Sequence, residues 1–433
     1  MTEYRRFYPE ADVTAHMIGF TDLDDQGKEG LEMSLNHLLA GQAGAKRVVK
    51  DLKGHRVQEV ALLKAANPGR DVTLSFDTRV QYAAYRELAR GVAEHEASAG
   101  ALVSLDVETG EVLAMANVPS YNPNNRKKLT VNALRNRAVT DQFEPGSTLK
   151  PFTVAAALES GKYNTHSHFN THPGTYRVLN KTIRDHDNYG VIDMTTLLTK
   201  SSNVATAQIA MALPRDTLPL LHRRLGFGRN TGSGFPGESA GSIQPQSRWN
   251  PVEVATMSYG YGVTVTALQL AQAYAVIASG GIQRPISFTR VSGAVPGKRV
   301  LDEKIARALI PMMETVVTQE GTALRAAVPG YRIAGKTGTA HKAQAGGYAS
   351  DAYMSLFVGL APASSPRVVT AVIIDNPRKG GYYGGLAAAP VFSRMMSDTL
   401  RLMNIEPDRS AERLAEQHRF PHPSTWPRQG REG

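Results

Sequence analysis

Two apolar segments broken by tight turns lie at opposite ends of the central part of this chain. The first runs from 101 to 116 and is interrupted at 108–110, which predicts a β-hairpin with a glycine in its turn. The second covers 355–360 and 368–374, with 333–336 as a further strand. Any sheet that contains both hairpins has to join distant parts of the chain, with the intervening segment packed beside it.

The segment between these hairpins has helical periodicity over most of its length. Asp193 is a typical N-cap residue before an apolar stretch, and Gly161 is placed to end a helix that starts at Ser147. The predicted helices cover 80–92, 147–160, 194–200, 204–213, 266–279 and 392–403, with a strand at 72–76 before the first of them. Strands early, helices in the middle and strands late predict the α+β class, with an antiparallel sheet flanked by helices.

The chain divides into three parts by composition. Residues 1–66 mix short polar runs with glycine-rich turns and predict a small, elongated appendage. Tighter patterning predicts one large domain over 67–405. Residues 406–433 are polar and contain four prolines, so we expect a disordered tail.

Composition excludes several kinds of chemistry and partner. The 433 residues contain no cysteine, which rules out disulfides, thiolate metal sites and cysteine catalysis. The net charge of +10 is spread along the chain without a nucleic-acid-binding motif, so we expect no nucleic acid partner. No apolar run approaches the roughly 18 residues of a membrane helix, and the first residues lack the apolar core of a signal peptide.

The pair Ser147 and Lys150 is the first candidate for chemistry. Three residues apart at the start of a helix, a hydroxyl and an amine lie on one face. Serine becomes a strong nucleophile when a base removes its proton, and a lysine that has lost its own proton can be that base. Ser-x-x-Lys occurs by chance about once in a chain of this length, so the pair gains meaning only from other residues.

Two further motifs follow in order, Ser201-Ser202-Asn203 and Lys336-Thr337-Gly338-Thr339. Ser-x-Asn is also expected about once by chance, and Lys-Thr-Gly about a tenth of a time. An active site is therefore indicated by the occurrence of all three motifs in this order along one chain. The triple predicts an enzyme that forms a serine acyl-enzyme.

With these motifs, the chain resembles the class B penicillin-binding proteins, and within them the division-type peptidoglycan D,D-transpeptidases. The likeness extends over most of the chain. It includes the segments 72–77, 121–125, 143–146, 226–228, 235–238 and 259–266, and in the first part 18–21 with 30–32. It implies a penicillin-binding transpeptidase domain over 67–405, preceded by a pedestal over 1–66.

The resemblance assigns a role to each motif residue. It implies that Ser147 attacks the carbonyl between two D-alanines of a stem peptide, with Lys150 as its base. Ser201 then relays a proton to the departing amine, Asn203 holds the substrate peptide, and Lys336 orients Ser201. We expect burial and the neighbouring cation Lys336 to lower the pKa of Lys150.

The resemblance also implies how the substrate is bound. The backbone N–H groups of Ser147 and Thr339 are expected to form the oxyanion hole. The expected substrate or β-lactam site comprises Thr337, Gly338, Thr339, His341, Tyr348, Tyr382 and Tyr383. His341 is a departure, because this position is often basic in the family and a histidine changes its charge with pH.

We expect neither a metal nor a cofactor. His166, His168 and His172 lie close together in the sequence, but they have no carboxylate partners and fall in a polar loop. No glycine-rich phosphate loop follows a predicted strand.

Two other functions share the same acylation step. A D,D-carboxypeptidase or β-lactamase-type serine hydrolase transfers the acyl group to water instead of an amine, and the sequence offers no identifiable glutamate for its deacylating base. A non-catalytic β-lactam sensor is acylated once and signals through transmembrane and output segments, which this sequence does not contain.

The resemblance further implies partners and a location. Stem peptides ending in D-Ala-D-Ala are the expected substrate, and β-lactam antibiotics are the expected inhibitors. Residues 1–66 are too few for a glycosyltransferase, so a membrane glycan polymerase and other division proteins are expected partners. Because the substrate lies outside the cytoplasm, we expect action at the periplasmic face of the bacterial inner membrane, with a single N-terminal anchor absent from this chain.

Overall fold

A computed structural model describes residues 6–245, 249–293, 295–344 and 347–409. Most of the predicted tail, residues 410–433, lies outside the described residues, and so its predicted disorder stays a prediction.

The centre of the fold is a five-stranded antiparallel sheet, called the central sheet here. Its strands, in spatial order, are Ala334–Gln344, Gly347–Ala361, Val368–Asp375, Ala99–Asp106 and Val112–Val118. The two predicted hairpins therefore join through the pairing of 99–106 with 368–375. The predicted α+β class is confirmed, and 334–344 forms one edge of the sheet.

Helices cover this sheet. Helix Ala267–Ala278 lies against the central strands, while Thr78–Glu94 and Gly384–Leu402 pack on each other and on the sheet. Every residue of strand 99–106 is buried, as expected for a strand covered on both faces. The other α-helices are Ala15–Ile18, Gly30–Ser34, Asn36–Leu39, Val131–Leu134, Arg137–Thr140, Lys150–Glu159, Met194–Lys200, Asn203–Ala212, Thr217–Arg224, Pro251–Met257 and Glu303–Glu314.

The boundaries of several predicted helices are confirmed to within a few residues. Asp193 caps Met194–Lys200 by accepting a hydrogen bond from the N–H of Thr196, as its position predicts. Thr266 likewise caps Ala267–Ala278.

One predicted element was wrong, and one predicted helix is longer than expected. No strand forms over 72–76, where the chain makes only an isolated bridge between Leu74 and Thr289 before Asp77 caps the next helix. The last helix begins at Gly384 rather than near 392 and contains Pro390. The low helix propensity of glycine argues against a helix start at this residue. Gly384 is nevertheless buried, and a side chain at this position would meet the carbonyl of Leu356 at 2.1 Å. Packing on the sheet therefore decides where this helix begins.

The helical middle of the chain also contains short strands that were not predicted. These are His168–Asn170 with Val191–Asp193, Thr175–Val178 with Lys181–Arg184, Ser242–Ile243 with Val263–Thr264, and Ile282–Gln283 with Lys298–Arg299. They are too brief to show clear period-two alternation.

The first part of the chain consists of short helices followed by a two-stranded ribbon, Ala45–Lys50 paired with Arg56–Lys64. Tyr8 and His16 attach the short helices to the rest of the fold through Asn124 and Ala133. The ribbon is solvent-exposed along nearly its whole length. Within the described ranges, no helix is both long and apolar enough to cross a bilayer.

Candidate active site

Ser147 lies in a tight helical turn, Gly146–Leu149, that leads directly into helix Lys150–Glu159. Gly146 has φ of 53°, and its N–H donates to the carbonyl of Gly260 at 3.2 Å. A side chain at 260 would meet the carbonyl of Gly146 at 2.0 Å, so both glycines allow the close contact that holds this turn. The turn leaves Ser147 half-buried and Lys150 fully buried.

Ser201 occupies the joint between two helices, Met194–Lys200 and Asn203–Ala212, which we call the Ser201 joint (residues 201–202). Its backbone is left-handed, with φ of 60° and ψ of 46°. A non-glycine residue in this conformation costs on the order of 1 kcal/mol and persists only where surrounding contacts hold it. The joint turns the chain sharply enough to bring Ser201 and Asn203 towards Lys150.

The amine of Lys150 contacts three acceptors, two in this joint and one on Asn203 beside it. Its Nζ lies 2.7 Å from Oδ1 of Asn203 and 3.1 Å from Oγ of Ser201, and it also bonds the carbonyl oxygen of Ser201. The amide Nδ2 of Asn203 donates to the carbonyl of Arg184 at 2.9 Å, which turns Oδ1 towards Lys150. The amine is thus held between the two helices.

Lys336 reaches the same hydroxyl from the edge strand of the central sheet. Its Nζ lies 2.9 Å from Oγ of Ser201, with the backbone oxygen of Thr337 at 3.3 Å. Lys336 is fully buried, as is Lys150. The Ser201 hydroxyl therefore bridges two buried amines, one from the helical block and one from the sheet.

Burial changes the protonation of both amines. Loss of solvent lowers the pKa of Lys150 well below its ordinary value, and the nearby Lys336 lowers it further, whereas the carboxylate of Asp185 acts in the opposite direction. Burial lowers the pKa of Lys336 to about 7. A neutral Lys150 amine has two N–H groups to donate and one lone pair that can accept a proton.

The edge strand packs tightly on the turn that carries Ser147. A side chain at Gly338 would meet the carbonyl of Pro145 at 2.8 Å and Cγ2 of Thr148 at 2.9 Å. Glycine at 338 thus permits this close approach. Because 334–344 is an edge strand, alternate N–H groups along it have no strand partner and face away from the sheet.

A cleft of about 480 Å³ opens above these groups. Ser147, Ser201 and Asn203 line it on one side, and Thr337 and Thr339 line it on the other. The Ser147 hydroxyl makes no hydrogen bond with any residue that the structure describes. Such contacts are often long in free enzymes and tighten when substrate binds.

Comparison with known proteins identifies the family of this chain. The model for the penicillin-binding protein transpeptidase domain matches residues 100–397. The chain is 46% identical over 406 residues to peptidoglycan D,D-transpeptidase FtsI of Escherichia coli K12, covering 94% of this chain and 68% of that protein. This chain belongs to the penicillin-binding protein transpeptidase family.

Two further relatives agree. A probable peptidoglycan D,D-transpeptidase PbpC of Pseudomonas aeruginosa is 42% identical, with coverage of 94% of this chain and 72% of the relative. The apo transpeptidase domain of Burkholderia pseudomallei penicillin-binding protein 3 superimposes with a TM-score of 0.73 at 39% identity, over 79% of this chain and all of that domain. The family resemblance and the transpeptidase class expected from the sequence are confirmed.

The cleft of this transpeptidase has an aromatic wall. Tyr353 stacks on Tyr382 with ring centres 3.9 Å apart, and Tyr383 follows at 4.6 Å from Tyr382. His341 packs against Tyr353 at 4.6 Å, and its Nδ1 lies 3.0 Å from the carbonyl of Ala349. Tyr382, Tyr383 and His341 thus line the cleft together.

Tyr348 has a different environment in this transpeptidase. It is half-exposed, and its hydroxyl donates to Oε1 of Glu144 at 3.2 Å beside the ring of Tyr261. Glu144 also accepts from the N–H of Gly262 at 2.8 Å, and burial raises its pKa. Tyr348 therefore packs next to the Ser147 segment and against Tyr261, which lines the cleft, while Tyr348 is not among the lining residues itself.

Sequence reasoning missed several residues around the cleft. Tyr353 faces His341 across paired strands, a relationship visible only once the register is known. His186 and Thr322 come from loops without a recognisable pattern. Tyr259 and Tyr261 lie within the family-like segment 259–266, which was the one available signal for them.

Proposed function

We propose that this transpeptidase cross-links peptidoglycan stem peptides during septal cell-wall synthesis and that β-lactams inhibit it by acylating Ser147. The observation that carries the proposal is the meeting of the three motifs at one hydroxyl, with Ser201 Oγ 3.1 Å from Lys150 Nζ and 2.9 Å from Lys336 Nζ. The names of the relatives give the same reaction, and the septal role follows from the resemblance to the division-type enzymes.

In the first half-reaction Lys150 takes the proton of Ser147. The Ser147 Oγ then forms a bond to the carbonyl carbon between the two terminal D-alanines. As the C–N bond breaks, the departing amine takes a proton through Ser201, and free D-alanine leaves. The lowered pKa of Lys150 supports its role as base, because a neutral amine is the form that accepts a proton.

Charge on the carbonyl oxygen is stabilised by the N–H groups of Ser147 and Thr339. The N–H of Ser147 is not used by any other described residue, and Thr339 lies on the edge strand. Each such donor contributes about 10²- to 10³-fold in rate in other enzymes. The substrate carboxylate binds the hydroxyls of Thr337 and Thr339 beside His341, which line the cleft.

In the second half-reaction an amine from another strand attacks the ester, and Ser147 regains its proton. Hydrolysis by a D,D-carboxypeptidase or a β-lactamase differs only in this step, and the named relatives favour transfer to an amine. A sensor role is likewise not favoured.

The exposed ribbon supports contact with other division proteins, among them a glycan polymerase. Its apolar side chains include Val57, Val60 and Leu62, which are 66%, 53% and 63% exposed. Isolated exposed apolar residues are common, but a group on one ribbon is typical of interaction surfaces. Since peptidoglycan lies outside the cytoplasm, the reaction takes place in the periplasm.

Stopped-flow acylation with a chromogenic β-lactam tests this function. We expect a rapid burst of one equivalent per enzyme followed by slow turnover. A stem-peptide thioester given with D-alanine as acceptor should yield mainly the aminolysis product. Fast steady β-lactam hydrolysis, or hydrolysis of the thioester with no transfer to the amine, would contradict the proposal.

A further inference from the structure

The loop that carries Asp185 lies directly beneath the Ser201 joint. It follows strand Lys181–Arg184, and the N–H of Asp185 donates to the carbonyl of Gly174 at 3.0 Å, which fixes the position of the residue. Asp185 is partly buried, whereas its neighbours His186 and Asp187 are exposed. No sequence motif marks this residue.

The carboxylate of Asp185 makes three hydrogen bonds, all to the start of helix Asn203–Ala212. Its Oδ2 accepts from Oγ of Ser202 at 2.6 Å. Its Oδ1 accepts from the backbone N–H groups of Asn203 at 2.5 Å and Val204 at 3.0 Å. These N–H groups have no partner within the helix, and the helix dipole favours an anion there.

These bonds act on the two groups that hold Lys150. Asn203 presents Oδ1 to the Lys150 amine, and its own Nδ2 bonds the carbonyl of Arg184 beside Asp185. Ser201 precedes Ser202 directly, so the Ser202 bond to Asp185 also fixes the left-handed Ser201. The preceding helix holds the joint through backbone bonds from Ser201 and Ser202 to Leu198 and Leu197.

Asp185 also adds a negative charge near the buried amine of Lys150. The charged groups acting on Lys150 are Lys336, from the edge strand, and Asp185, from the loop. Tyr189 faces Asp185 from the same loop, and His186 lines the cleft beside it. Loss of the Asp185 charge lowers the pKa of Lys150 further, since an anion favours the protonated amine.

We propose that Asp185 is a positioning residue for this reaction: it holds the Ser201 joint so that Ser201 Oγ and Asn203 Oδ1 converge on Lys150, and it places a negative charge close to that amine. The inference rests on the proposed function. Asp185 touches neither Lys150 nor Ser147 and acts through Ser202 and Asn203.

Three variants test the proposal: Asp185→Ala, Asp185→Asn and the matched control Asp187→Asn. The control removes the same charge from the same loop, two residues away, and the structure gives Asp187 no hydrogen bond to the Ser201 joint. For each variant we would measure the second-order rate constant of acylation by fluorescent penicillin from pH 5 to 10 and the melting temperature.

Asp185→Ala should slow acylation tenfold or more, because charge-assisted bonds that shape the site are lost. Asp185→Asn keeps the shape of the side chain and removes its charge, so acylation should persist at lower pH. The acid limb of the pH–rate profile, where the rate falls as the pH decreases, should shift down by about half a pH unit or more. Asp187→Asn should match wild type in its acylation rate and in the position of its acid limb.

A merely structural role would lower the melting temperature and leave the acid limb in place. An unshifted limb in Asp185→Asn, or wild-type acylation by Asp185→Ala, would overturn the inference. Failure of wild type itself to form an adduct on Ser147 would instead contradict the proposed function, so the two failures are distinguishable.

Discussion

The Nζ of Lys336 lies 2.9 Å from Oγ of Ser201, across 135 positions of sequence. One residue belongs to the edge strand of the central sheet and the other to a joint between helices. The contact therefore joins the two layers of the fold at the cleft. Correct stacking of the sheet on the helical block is required for the Ser201 hydroxyl to lie between two amines.

Substitution of Ser201 by alanine removes the hydroxyl shared by Lys150 and Lys336. We expect the second-order rate constant for β-lactam acylation to fall by about 10²- to 10⁴-fold, the usual range for loss of a proton-transfer group. The left-handed backbone at 201 accepts alanine as poorly as serine, so the melting temperature should change little. Ser365→Ala, in an exposed loop, is the control and should acylate normally.

The two lysines predict a bell-shaped pH profile for acylation. On the acid side the rate falls because Lys150 becomes protonated, and above about pH 7 it falls because Lys336 loses its proton. In Lys336→Met the neighbouring positive charge is gone, so protonation of Lys150 becomes easier and its pKa rises. We expect the acid limb to move to higher pH and the fall on the alkaline side to disappear.

Measurement of acylation rates from pH 5 to 10 checks this profile. The variant should lose more activity at pH 6 than at pH 8, relative to wild type. An acid limb that stays in place or moves to lower pH in Lys336→Met would argue against coupling of the two amines.

Gly338→Ala tests the contact between the edge strand and the Ser147 turn. The added Cβ would lie 2.8 Å from the carbonyl of Pro145, a backbone atom, so the strand or the turn has to move. Small displacements of reacting groups cost about 10²-fold in rate, and we expect acylation to fall by that order. Near-normal kinetics in a folded variant would show that the close packing is dispensable.

His222 makes stability depend on acidity. It is fully buried, neither ring nitrogen has a hydrogen-bond partner among the described residues, and burial lowers its pKa to about 4. In the unfolded chain this histidine binds a proton near pH 6.5, whereas in the folded protein it stays neutral down to about pH 4. The free energy of unfolding therefore falls as the pH decreases from 6.5 towards 4, by up to about 3 kcal/mol.

In His222→Leu this acid sensitivity should be reduced, whereas His166→Gln, at an exposed position, should retain it. Denaturant unfolding at pH 7 and pH 4.5 compares the three proteins. Equal loss of stability between these pH values in wild type and His222→Leu would contradict the account.

Much of the fold was predictable because its strongest signals are local. The nearly continuous apolar runs of 99–106 and 368–375 and the cap at Asp193 depend on neighbouring residues alone. The start of the last helix was not predictable, because burial of Gly384 against Leu356 overrides the poor helix propensity of glycine.

The same distinction applies to the site. Ser147, Lys150, Ser201, Asn203 and Lys336 were recognisable because spacing within each motif is encoded in adjacent residues. Asp185 and Tyr353 were not, since their contacts depend on a loop conformation and on strand register. Tyr348 was expected in the substrate site, but it lies in strand Gly347–Ala361 and its hydroxyl bonds Glu144, an environment that the sequence pattern did not indicate.

Intact-protein and peptide mass spectrometry after reaction with benzylpenicillin tests the central claim most directly. Wild type and Ser147→Ala should be compared under identical conditions, with circular dichroism to confirm that the variant is folded. The account predicts one covalent adduct per wild-type molecule, on the peptide containing Ser147, and none on the variant. An adduct on any other residue, or equal labelling of folded Ser147→Ala, would contradict it.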